Sequence, residues 1–117
     1  YKLKEENMAG KFELYKSGNG EFRFRLVAGN SENILASEGY SAKAGAQGGI
    51  ESVKKNAPDD NRYDRRVSTN SQYYFVLKAA NGEVIGTSQM YASTSGRDGG
   101  IESVKRTAPD APVVDLT

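Results

Sequence analysis

The sequence predicts an α+β domain made of two tandem copies of one unit, three strands followed by a helix and a further strand. Three observations predict it. The chain repeats itself: Gly48-Gly49-Ile50-Glu51-Ser52-Val53-Lys54 returns unchanged as Gly99-Gly100-Ile101-Glu102-Ser103-Val104-Lys105, and Ala57-Pro58-Asp59 returns as Ala108-Pro109-Asp110 at the same offset. That offset also pairs Phe24 with Phe75, Leu26 with Leu77, Ile34 with Ile85 and Tyr40 with Tyr91, so the copies align without a gap. Within each copy, apolar residues alternate up to the tyrosine and then recur at spacings of three and four, the change of period that separates strands from a helix.

The opening strand contains Phe12-Glu13-Leu14-Tyr15, Ser17-Gly18-Asn19-Gly20 supplies turn chemistry, and Phe22-Arg23-Phe24-Arg25-Leu26 resumes the period of two. This is a β-hairpin signature. Phe22, Phe24, Leu26 and Ala28 share one face of the second strand, while Arg23, Arg25 and Val27 take the other. The next turn is Gly29-Asn30-Ser31-Glu32 in copy one and Ala80-Asn81-Gly82-Glu83 in copy two, where Asn-Gly suits positive φ. A third strand is expected around Ile34 to Glu38. Ala46, Gly49, Ile50, Val53 and Ala57 then form one apolar helical stripe. Lys54 and Lys55 complement the carbonyl end of that helix, and Pro58 stops it. Arg62 to Ser68 aligns with the opening strand and begins the second copy, and Val113 to Leu116 reads as a short closing strand.

The start of the helix is open between two registers. A start near Ser41 puts the glycine pairs inside the helix, where Gly49 and Gly100 would let it approach the sheet closely. A start near Gln47 and Asp98 would leave Gly48, Gly49, Gly99 and Gly100 as an anion-facing loop. The cap at Ser41 favours the early start in copy one. Ser93-Thr94-Ser95-Gly96 is weaker, making copy two the expected exception.

Length and composition bound the rest. At 117 residues the chain is one domain's worth of material, and one copy alone would bury too little surface for comfortable stability. The expected arrangement is a single domain over residues 10–117, its repeats spanning 10–61 and 62–117 and sharing one core. Residues 1–9 are expected to form a flexible N-terminal extension, with the polar stretch Tyr1 to Asn7 preceding a plausible start at Met8. Sixteen Lys and Arg against fifteen Asp and Glu give a net charge of +1, so no global field steers the protein to nucleic acid or membrane. Without cysteine there is no thiolate chemistry or disulfide framework, and without histidine there is no imidazole base. No catalytic residues, metal ligands or cofactor are expected. No apolar run approaches the roughly 20 residues of a membrane span, and the expectation is a cytoplasmic monomer.

The order of elements, with Gly-Gly-Ile-Glu-Ser-Val-Lys and Ala-Pro-Asp in each half, resembles the YegP-like family of small, uncharacterised bacterial proteins. The match covers nearly all of residues 10–117. The resemblance implies an α+β fold in which two β3-α-β units form one shared antiparallel sheet with exchanged C-terminal strands and two helices packed on one face, a family dimer fused into one chain. It carries no activity, ligand or catalytic residues.

Two candidate sites follow from the residues. The sheet face opposite the helices would carry Glu13, Tyr15, Arg23, Arg25, Val27, Tyr74, Val76 and Lys78, with Tyr15, Arg23, Arg25, Tyr74 and Lys78 as the ligand-binding set. Arginines interleaved with tyrosines suit single-stranded nucleic acid, or a peptide, through stacking and phosphate contacts. Because Arg23-Phe24-Arg25 faces Tyr74-Phe75-Val76 across the repeat, the surface is expected to be lopsided. The second candidate is an anion or small-ligand site at Gly48, Gly49, Gly99 and Gly100, at the helix N-termini, serving regulation or an enzyme of unfamiliar type. Arg62, Arg65 and Arg66 form the densest basic cluster, read either as an extension of the sheet-face patch or as a charged edge strand that discourages pairing with other chains.

Overall fold

The computed structural model describes residues 10–117; the expected extension over residues 1–9 lies outside them. The chain forms β1 (Lys11–Lys16), β2 (Phe22–Val27), β3 (Asn33–Ala36), α1 (Lys43–Asn56), β4 (Tyr63–Val67), β5 (Tyr73–Lys78), β6 (Val84–Thr87), α2 (Thr94–Thr107) and β7 (Val113–Asp115). Short 3-10 turns at Asp60–Arg62 and Ala108–Asp110 follow the helices. One seven-stranded sheet has the order β4-β5-β6-β3-β2-β1-β7. Each copy contributes an antiparallel meander, and the two join at the centre through Ala36 opposite Thr87.

The closing strand crosses to the other copy. β7 belongs to copy two yet pairs with β1 of copy one, Phe12 opposite Val113 and Leu14 opposite Asp115, and it runs parallel, so the sheet is mixed. Phe12 donates its amide to the Pro112 carbonyl at 2.8 Å, and the Leu116 amide reaches the Leu14 carbonyl at 2.7 Å. On the opposite edge, among the described residues, β4 pairs only with β5. The segment after α1 is itself the opening strand of copy two, so it cannot also lie beside that strand.

Alternation places Phe12, Leu14, Phe24, Leu26, Phe75 and Leu77 on the helix-covered face, all fully buried. Ile50, Val53, Ile101 and Val104 close the core from the helices. α1 packs on β1 and β2 but also on β5 and β6 of the other copy, and α2 reaches β3, so the core belongs to both repeats.

Both helices start early, at Lys43 and at its counterpart Thr94. The caps reverse the expectation: Ser93 Oγ accepts the Gly96 amide at 3.0 Å, whereas Ala42 offers no side-chain cap. Gly49 and Gly100 are forced by close approach. A β-carbon at Gly49 would lie 2.5 Å from Tyr40 Oη and 2.8 Å from Phe24 Cε2, and one at Gly100 would meet Tyr91 Oη at closer range still. Tyr40 and Tyr91 bridge back to the sheet opposite Phe22 and Tyr73, which fixes each tyrosine beneath its helix. Burial pushes the Tyr40 hydroxyl above its ordinary pKa.

Candidate functional site

The sheet face turned away from the helices collects the odd-numbered residues of β1 and β2 and the even-numbered residues of β4 and β5. In copy one Tyr15 stands opposite Arg23 across the β1–β2 ladder. The Arg25 guanidinium lies 4.5 Å from the Tyr15 ring centroid, and its Nε donates to Glu13 Oε1 at 2.6 Å. Lys11 approaches the other Glu13 oxygen at 3.4 Å, and Arg23 approaches Glu21 at 3.5 Å. The hydrogen bond from Arg25 is the main reason the Glu13 carboxyl sits below its usual range, a shift that partial burial opposes.

In copy two Arg66 stands opposite Tyr74. Arg66 Nε donates to Asp64 Oδ2 at 3.0 Å, and Lys78 Nζ lies 3.5 Å from the same oxygen. Arg66 holds the Asp64 carboxyl below its ordinary value, and Asp64, then Tyr74, raise the Arg66 guanidinium in return.

The repeat offset turns Tyr15 into Arg66 and Arg23 into Tyr74. Each half therefore carries one cross-strand tyrosine–arginine pair with the two residue types exchanged between strands. The expected lopsidedness comes from reading β2 against β5 alone; β1 and β4 restore the balance. Arg66 enters the sequence reading only within the junction cluster, as an extension of the open-face patch or as part of a charged edge, because the hairpin register that puts it beside Tyr74 is not visible in composition. The structure brings Tyr15, Arg23 and Arg25 together and Tyr74 and Lys78 together. The two groups are separated by β3 and β6, so β1 and β5 lie four strand spacings apart, roughly 19 Å at about 4.8 Å per strand.

Between them runs a shallow band. One register row crosses the face as Asp64, Val76, Thr87, Ala36, Arg25 and Glu13. Small side chains at its centre leave the flanking tyrosines and arginines standing higher. Val76, on this face, is 2 % exposed.

The second candidate set falls in the second turn of each helix. The amides of Gly48, Gly49, Gly99 and Gly100 lie far enough from Lys43 and Thr94 to bond carbonyls four residues back within the helix ladder. Gly49 and Gly100 press against tyrosines, whereas a β-carbon at Gly48 or Gly99 would meet nothing within 4 Å. Among the described residues no three carboxylates cluster to hold a metal ion, and no helix is long and apolar enough to cross a membrane.

The basic cluster divides. Arg62 Nε donates to Asn56 Oδ1 at 3.1 Å, and Arg66 belongs to the open face. Arg65 points to the helix side, 3.3 Å from Asp60 and 3.5 Å from Asp98. Lys105 also binds Asp60, at 2.8 Å, and this is the main reason the Asp60 carboxyl sits low.

Two stretches of the chain, residues 17–64 and 68–115, each match the family described as "Domain of unknown function (DUF1508)". The "UPF0339 protein in ptx operon 5'region" of Stutzerimonas stutzeri is 60% identical over 93% of this chain and 98% of its own length. The "UPF0339 protein YegP" of Escherichia coli strain K12 is 50% identical over 94% of this chain and all of its own. The solution NMR structure of the UPF0339 protein of Shewanella oneidensis superposes with a TM-score of 0.88 at 53% identity, covering 94% of this chain and 93% of that one. That of yegP from E. coli, described as a protein of unknown function, gives 0.89 at 50% identity, covering 94% and 95%. With one match per repeat and full-length relatives of the same fold, the chain belongs to the DUF1508 (UPF0339) family in its tandem form.

Proposed function

We propose that the protein is a small non-enzymatic binding module that takes single-stranded nucleic acid on the open face of its sheet. The observation that carries this reading is the twofold-related placement of the Tyr15–Arg23 and Arg66–Tyr74 pairs on either side of a band of small residues. Each pair joins a ring that can stack on a base to a guanidinium that can meet phosphate, and base stacking on such rings contributes roughly 1–3 kcal/mol per base. Around them Lys11, Arg23, Arg25, Arg66 and Lys78 outnumber Glu13, Glu21 and Asp64. The bases are already shared with acids, so binding exchanges carboxylate partners for phosphates and should weaken steeply with salt. The reading also takes the protein to be a cytoplasmic monomer; its support is the bacterial origin of the relatives and the fusion of two copies in one chain.

The test is an NMR titration of the labelled protein with short oligothymidylate and oligouridylate at two salt concentrations. The expected result is perturbation of Tyr15, Arg23, Arg25, Arg66, Tyr74 and Lys78 that weakens with salt and disappears in the Arg23→Ala, Arg25→Ala double variant. Absence of shifts, or shifts indifferent to both salt and that variant, would overturn the reading.

A further inference from the structure

Among the described residues the sheet has a filled edge and an unfilled one, and the repeat makes them comparable residue by residue. β1 is covered by β7; β4, its counterpart, is covered by nothing among the described residues. The β1–β2 and β4–β5 registers are the same under the repeat, since Phe12 opposite Leu26 becomes Tyr63 opposite Leu77. The groups that β1 turns toward β7 are those of Phe12 and Leu14, so β4 turns those of Tyr63 and Arg65 away from β5. The Tyr63 amide is taken by the Asp60 carbonyl of the 3-10 turn. That leaves the Tyr63 carbonyl and both backbone groups of Arg65 aimed outward, with Val67 60% exposed at the end of the same strand.

We infer that this edge accepts an extended peptide of another protein, running parallel to β4 as β7 runs along β1, with β-branched residues followed by an acidic residue opposite Arg65. The chemistry of the occupant is read from the filled edge. There Val113 and Val114 lie along β1, and Asp115, opposite Leu14, reaches Lys43 Nζ at 2.5 Å. The repeat replaces Lys43 by Thr94 and Leu14 by Arg65. The cation has moved from the helix start to the strand, where it faces the position that an aspartate holds on the filled side, on the same side of the sheet. Arg65 keeps its charge matched meanwhile through Asp60 and Asp98, both exposed, and can exchange either for an incoming carboxylate.

An inward-pointing charge on an edge strand guards against indiscriminate pairing. Here it also selects, because an apolar or basic residue opposite Arg65 strips its partners without replacement, whereas an acid supplies one. Main-chain bonds to Tyr63 and Arg65 give the affinity and the opposite-charge pair gives the preference. The site differs from the open face: the edge bonds use backbone at the rim, and Arg65 points to the helix side.

The test uses the intact labelled chain and a synthetic heptapeptide with the sequence of residues 111–117, Ala-Pro-Val-Val-Asp-Leu-Thr. Tethering keeps the chain's own β7 seated against free peptide, so the peptide should find β4. The expected result is perturbation and slowed amide exchange at Arg65 and Val67 with β1 unchanged. A peptide with Asp replaced by Lys should bind about two- to fivefold more weakly, the range of one cross-strand charge pair, and Arg65→Glu should reverse that preference. Shifts confined to β1 and β7, shifts confined to the open face, no shifts at millimolar peptide, or self-association of the chain through β4 without peptide binding would each overturn the inference. A charge preference that survives unchanged in Arg65→Glu would overturn the role of Arg65.

Discussion

At the scale of single residues, the two glycines of each pair have opposite reasons for being glycine. Gly49 and Gly100 are pressed against Tyr40 and Tyr91, and Gly48 and Gly99 face open space. Gly49→Ala should therefore lower stability by about 1–3 kcal/mol, the range of overpacking, while Gly48→Ala should raise it by roughly 1 kcal/mol, the helix preference for alanine. Urea unfolding of the two variants checks both signs at once. The turn residues give a second contrast. Positive φ occurs at Gly20 and its counterpart Ser71, and at Ser31 and its counterpart Gly82. Serine there carries a steric cost that glycine avoids, so Ser31→Gly and Ser71→Gly should each stabilise the protein by about 1 kcal/mol. Ser37 and Ser88 were not singled out by sequence pattern, yet each hydroxyl accepts a buried strand amide, from Phe24 at 2.9 Å and from Phe75 at 3.0 Å. A lone serine beyond a strand carries no periodic signal; only the fold brings the amide to it.

At the scale of elements, the strand that closes the sheet is held, among the described residues, by a short ladder and the Lys43–Asp115 charge pair. The Asp115 carboxyl is held down to about 2 from an ordinary 3.8, first by Lys43 and then by the Thr117 hydroxyl and amide. Because the folded value lies below the ordinary one, the contribution is complete above the ordinary value and is lost as pH falls toward the folded one. β7 should loosen from β1 as pH falls from about 4 toward 2, with the Leu116 amide reporting earlier than the β1–β2 ladder. Lys43→Met should loosen β7 already at neutral pH and shrink its acid dependence, and a coincident loss of all strands would show that β7 has no separate transition. The helices were legible as stripes at Ile50, Val53, Ile101 and Val104. Their starts were not, since Ser93 caps α2 while α1 begins without a side-chain cap, and tertiary contact with Tyr40 fixes its register instead.

At the scale of the whole molecule, the two repeats share one core and one sheet. α1 rests on strands of both copies, and the sheet is continuous through β3 and β6. Residues 10–61 expressed alone should be a dimer or unfolded, as sedimentation and circular dichroism would reveal; a stable monomer would contradict the shared core. Ile50, 1% exposed and seated in that core, should cost roughly 2–5 kcal/mol when cut to alanine.

The sequence by itself determined the duplication, the α+β class, the element order and the core faces, because those follow from periodicity and from identity between copies. It also determined which side chains of β1, β2 and β5 share the open face, since strand alternation fixes that locally, though Arg66 of β4 was not among them. Tertiary structure alone decided the balance of that face and the imbalance of the edges. The first depends on which strand lies beside which, so that Arg66 meets Tyr74. The second depends on β7 being the one closing strand left free among the described residues, where it covers β1 and nothing covers β4.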